Sequence, residues 1–147
     1  KTLQLMAEGE VAVEINLTSN DVILGVSGKD HPISIYLENS VPITISTDDE
    51  GVSRINLTHE YQRAVETFDL GYETIKTVSR NALQYSFLSG RALFQNTMDG
   101  SLNSDCRKGL PQDLEDRSNC SDFILQSEKA LMQWQLEKSF TTFEANF

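Results

Sequence analysis

The chain has 147 residues, a formal net charge of −10 and 23% charged side chains, with a pI near 4.5. That length predicts a single domain, and the ordinary hydrophobic share of 39% excludes a collagen-like, low-complexity or wholly disordered chain. The acidic balance opposes a phosphate backbone, so no nucleic acid partner is expected, and no apolar run reaches the ~18 residues that a membrane-spanning helix needs.

Taken in chain order, Met6–Glu10 reads as the tail of a helix stopped by Gly9. Val11, Val13, Ile15 and Leu17 then alternate with Ala12, Glu14 and Asn16, which is a strand pattern rich in β-branched residues. Residues 18–30 read as a loop. Pro32 suits the first turn of a helix running to about Asn39, and a second strand follows from Val41 to Thr47, with Pro42 at its start where a missing donor is tolerated. Strand, loop, helix and strand in this order have the length of one βαβ unit, whose strands must be parallel. Polar clusters close both strands, Asn16–Asn20 and Ser46–Glu50, and parallel α/β folds bind ligands at that end.

Beyond Asp49 the period becomes helical. Tyr61, Ala64, Val65 and Phe68 share one face, Asn56 or Thr58 can cap the start, and Gly71 is the expected stop. A second helix is predicted over Tyr72–Phe87, with Ile75, Val78, Ala82 and Tyr85 inward and Gly90 breaking it. Residues 96–122 are rich in turn formers, and a last helix is predicted over Asp122–Asn146 with the stripe Met132, Leu136, Phe140, Phe143 and Phe147. The expected division is a barrel portion at 1–95, a polar loop at 96–122 and a packing helix at 123–147. A parallel pair of strands cannot cover its own faces or satisfy its outer edges. Together with a start on Lys1 instead of Met, this predicts the end of a larger α/β protein, an eight-unit barrel requiring about 250 residues.

Candidate chemistry gathers at Asp48-Asp49, directly after the second strand. One carboxylate can ligate a hard or borderline cation while its neighbour meets a substrate; alternatively the pair only caps the next helix and favours its positive end. His31, before Pro32, reads as a ligand or as a capping imidazole, and His59 as part of a solvated helix face. Cys106 and Cys120 lack C-x-x-C spacing and a histidine cluster. They are either two separate thiols or a disulfide closing a small loop, and the second would imply an oxidising compartment. P-loop, G-x-S-x-G and H-x-E…P-C-x-x-C patterns are absent. Asn16, Asn56 and Asn119 each begin a glycosylation triplet, a pattern common by chance.

Ser19-Asn20, His31-Pro32, Ser46-Thr47-Asp48-Asp49 and Asn81-Ala82 followed by Tyr85-Ser86-Phe87-Leu88 occur in the order and spacing of the adenosine deaminase family. The stretch Val11–Leu88 resembles that family's last two barrel strands and following helices, and the tail with Trp134 and Phe140 is similar to its secreted growth-factor-related branch. The resemblance implies the C-terminal part of a (β/α)8 TIM barrel with a helical tail, and zinc-dependent hydrolysis of adenosine to inosine and ammonia. It implies Asp48 as a zinc ligand and Asp49 as a catalytic residue contacting N7 of the purine. It implies one zinc ion whose other ligands, the His-x-His of the first strand among them, precede Lys1, together with the proton-shuttling Glu; the 147 residues alone would then be inert. Leu17 and Glu50 stand where many members carry Pro. The expected partners are a purine nucleoside and the rest of the barrel, with no membrane. The expected location is periplasmic or secreted, with the cytoplasm as alternative. Rival readings are a deaminase of AMP or adenine, a receiver-type signalling domain (disfavoured because no later strands end in Asp and Lys), and a non-catalytic interaction module.

Overall fold

The structure is a computed structural model describing residues 1–147. The chain forms two compact units, 1–81 and 82–147. The first unit carries α1 (Thr2–Glu8), β1 (Val13–Ile15), α2 (Leu17–Leu24), α3 (Ile33–Glu38), β2 (Ile43–Ile45), α4 (Glu50–Ser53), α5 (Leu57–Phe68) and most of α6 (Tyr72–Gln84). No helix is long and apolar enough to cross a membrane.

β1 and β2 pair in parallel, Val13 against Ile43 and Ile15 against Ile45, as the strand–helix–strand order requires. They form a sheet of two strands only. The ladder is extended by Val13 N–H donating to the Pro42 carbonyl at 2.9 Å and Ser46 N–H to the Ile15 carbonyl at 3.0 Å. Even-numbered residues of β2 therefore face β1, and the backbone groups of Ile43 point to the opposite edge. That outward carbonyl accepts from Nδ2 of Asn81, on α6, at 2.9 Å. Within this chain that carbonyl meets a side chain and no third strand. Ile15, Leu17, Ile33, Ile43, Ile45, Ala64 and Val78 form the core around the sheet.

Gly9 caps α1 as expected, with φ −88°, and the left-handed residue is Glu10 after it, at φ +50°. Other elements differ from expectation. The first strand is three residues instead of seven, because Leu17 already begins a helix. Residues 18–24, expected as loop, belong to α2. Thr18, Ser19, Asn20 and Asp21 are poor helix formers, and this helix is held from outside by α5 and closed by Gly25 at φ +65°. α5 is capped by Asn56, whose Oδ1 accepts from His59 N–H at 2.9 Å. It ends at left-handed Asp69, two residues before the glycine expected to stop it. On α6 the buried positions are Val78 and Asn81, while Ala82, expected inward, is exposed.

The second unit holds a short antiparallel hairpin, β3 (Phe94–Asn96) and β4 (Ser101–Leu102), then α7 (Asn119–Leu125) and α8 (Glu128–Glu144). The single helix expected over 122–146 is two. Ser127 leaves the helical path, its hydroxyl accepting from Ala130 N–H at 3.2 Å and donating to the Arg91 carbonyl at 2.6 Å. The anticipated inward stripe is turned outward at Met132, Phe143 and Phe147; the buried face carries Ala130 and Gln133. Gln133 accepts from Leu93 N–H at 2.7 Å, which gives a fully buried amide its partner. Trp134 Nε1 donates to the Pro111 carbonyl at 3.0 Å, tying the polar loop to α8. Cys106 and Cys120 are joined as a disulfide with their Cα atoms 4.6 Å apart, and they sit in a core with Leu93, Phe94, Phe123, Ile124 and Ala130.

Candidate functional site

The carboxyl ends of β1 and β2 lie side by side, and two side-chain links join the segments that leave them. Ser46 Oγ has a single proton, which goes to a Glu14 carboxylate oxygen. The Asn16 amide therefore presents its nitrogen to Ser46, 2.6 Å from Oγ and 3.0 Å from the carbonyl oxygen. The second link carries the site: Ser19 Oγ, on the first turn of α2, donates to Asp48 Oδ2 at 2.7 Å.

Asp48 follows β2 by three residues and adopts φ +53°, a conformation that costs a non-glycine residue about 1 kcal/mol or more. Its carboxylate is exposed and tethered through one oxygen only, since Oδ1 finds no partner within the chain. Asp49 is also exposed and stands at the N-terminal boundary of α4. It starts that helix with its backbone carbonyl, which accepts from Ser53 N–H at 2.9 Å, and its side chain makes no capping bond. Neither carboxylate is thus used up in capping α4, the bland alternative for an acidic pair in this position.

His31 is buried, and both ring nitrogens are engaged. Nδ1 accepts from Ile33 N–H at 3.3 Å at the start of α3, so the proton resides on Nε2, which donates to Asn20 Oδ1 at 2.9 Å. Burial, and secondly the nearby charge of Arg63, lower its pKa from 6.5. It is a neutral capping imidazole. His59 is exposed on α5. No group of three or more His, Cys, Asp or Glu side chains stands close enough to hold a metal ion. Asp48 offers one oxygen donor of a type that zinc accepts, already oriented by a hydroxyl on its other oxygen.

Sequence reasoning passed over Glu60 and Arg63. Glu60 on α5 is fully buried. Its Oε2 accepts from Thr18 N–H at 3.2 Å and its Oε1 from the Thr18 hydroxyl. Arg63, one turn later, donates to Thr18 Oγ1 at 3.1 Å and pairs with Asp21 at 2.5 Å. The signal was present in the sequence: Glu60 lies four residues before Ala64 on the buried stripe, where an acidic residue needs a partner.

Compared with protein families, residues 1–98 match the adenosine deaminase family. Curated relatives named adenosine deaminase include one from Clostridium acetobutylicum, 38% identical over 86 residues (58% of this chain and 26% of that protein). Another, from Aliivibrio fischeri, is 34% identical over 90 residues (60% and 27%). A third, from Escherichia coli, is 34% identical over 88 residues (59% and 26%). The chain spans about a quarter of the length of these relatives.

Proposed function

The chain belongs to the adenosine deaminase family, and from that premise we propose that it forms the last part of a (β/α)8 barrel that converts adenosine to inosine and ammonia with the help of zinc. The barrel reading draws on the parallel pair β1–β2 ending in two polar clusters, and on surface that a longer chain would cover. The outer edge of β1 pairs with no strand, and Val22, Ile23 and Leu24 stand exposed in a row on α2.

The observation that carries the reading is the Ser19–Asp48 bond. It brings the ends of both strands together and turns one Asp48 oxygen inward, leaving the other as a metal donor. When bound, zinc supplies hydroxide near neutral pH. Asp48 would hold the ion with Oδ1 while Ser19 steadies Oδ2. Asp49, one residue on and uncommitted to a cap, would face the purine at N7 and hold a proton there as the ring's electron density changes. His31 stays outside the chemistry, because its ring is occupied at both nitrogens.

The test is made on the full-length protein. Adenosine, AMP and adenine are offered with zinc, and ammonia release is measured. Asp48→Ala should lose both turnover and zinc, and Asp49→Ala should lose turnover but keep zinc. Retained turnover in Asp48→Ala refutes the reading, and a preference for AMP or adenine moves the substrate class. The family match ends at residue 98, so the Trp134 tail lies outside it and does not assign the chain to the growth-factor-related branch. The Cys106–Cys120 bridge supports an oxidising compartment, periplasmic or extracellular.

A further inference from the structure

Glu60 has no solvent exposure, and both of its oxygens are spent on one residue of another helix, Thr18. Helix α2 needs such help. Its N-cap residue, Asn16, makes no capping bond with its side chain, because that amide is turned to Ser46. Glu60 instead accepts the orphan N–H of the first turn from across the core. Thr18 Oγ1 gives its proton to Glu60 and receives one from Arg63 at 3.1 Å, so its rotamer is determined. Arg63 then reaches Asp21 at 2.5 Å, one turn further along α2. Two residues of α5 therefore grip positions 18 and 21 of α2. Between them lies Ser19, buried, whose hydroxyl donates to Asp48 Oδ2 at 2.7 Å.

We infer that Glu60 is a positioning residue for Asp48: through Thr18 it sets the height and roll of the first turn of α2, and so the direction from which Ser19 holds the carboxylate. The inference rests on the reading of Asp48 as a metal ligand. Its physical basis is the left-handed backbone of Asp48 at φ +53°, an uphill conformation that persists only where surrounding bonds determine it. When α2 is released, Ser19 moves and Asp48 loses the constraint on its free oxygen. Groups acting on a metal through its ligand alter affinity by about 10–100-fold.

The experiment measures zinc affinity of the full-length protein by competition with a chromophoric chelator, well below the unfolding midpoint, together with the thermal midpoint itself. Glu60→Ala should weaken zinc binding by about tenfold or more, Glu60→Gln, which keeps one acceptor oxygen, by less, and Ser19→Ala by about as much as Glu60→Ala. The double variant should bind zinc no more weakly than Ser19→Ala alone, because both changes act on the same bond. Unchanged zinc affinity in a destabilised Glu60→Ala would overturn the inference and reduce Glu60 to a structural staple. Losses that multiply in the double variant would overturn it equally. Should Glu60→Ala not fold, Thr18→Val removes the hydroxyl at nearly constant shape and reads the same link, with wild-type affinity as the refuting result. A wild-type protein that binds no zinc would fail the deaminase reading itself, which separates that failure from failure of the Glu60 link.

Discussion

Replacing Asn81 tests how a two-stranded sheet keeps its outer edge. Asn81 and Ile43 are both buried, and the 2.9 Å bond from Nδ2 satisfies a strand carbonyl facing away from β1. Asn81→Ala leaves a buried acceptor unpaired, at a cost of about 1–3 kcal/mol. With a urea slope of about 2 kcal/mol/M, the midpoint should fall by about 0.5–1.5 M at constant slope. Asn81→Asp is the sharper variant. It keeps the shape but points an acceptor at an acceptor, and at neutral pH it leaves an uncompensated buried charge at about 3–5 kcal/mol. A protonated Asp can donate to Ile43, so its pKa is raised in the folded state. Its stabilising contribution is then fully present below about pH 3.9 and is lost as pH rises through the folded-state value. Urea unfolding followed by circular dichroism at several pH values measures both variants. If Asn81→Asp equals or exceeds Asn81→Ala at neutral pH, or if Asn81→Ala matches wild type, the Ile43 carbonyl has no need of the bond and the argument fails.

Three further outcomes are expected. Reducing the Cys106–Cys120 bridge, or replacing both residues with Ser, reopens a loop set by a sequence separation of 14. It should cost about 3 kcal/mol in the loop-entropy model, read as a lower thermal midpoint in reductant; mass measurement before and after reduction checks the bridge itself. Gly90→Ala should be among the most damaging single-methyl additions. Gly90 has φ +91°, and a Cβ there would lie 2.4 Å from Ser127 Oγ and 2.8 Å from Ser127 Cα. A loss of at least about 2 kcal/mol is expected, and a variant as stable as wild type would refute the steric argument. His31 has a folded-state pKa below 6.5, through burial first and Arg63 second. Its contribution is present above the unfolded value and is lost as pH falls through the folded one. Stability should therefore decline on acidification below about 6.5, and His31→Gln should flatten that part of the profile in denaturant titrations.

Local patterning in the sequence was enough to place α3 after Pro32, to start α5 at its Asn56 cap, and to require that two strands joined by a helix run parallel. These features depend on neighbours a few residues away: a fixed proline φ, a side chain accepting an N–H three residues on, the reach of a crossover. The same patterning singled out Asp48-Asp49 as an acidic pair at a strand end. What it could not place depends on residues far apart in the chain. α2 is built of poor helix formers, and the Thr18 N–H of its first turn is accepted by Glu60, 42 residues away. The break between α7 and α8 comes from Ser127 reaching Arg91, 36 residues back. The direction of the Asp48 carboxylate is set by Ser19, 29 residues before it. A hydrogen bond of this kind leaves no periodicity in the sequence, and only the packing of α5 against α2 places Ser19 where its hydroxyl meets Asp48.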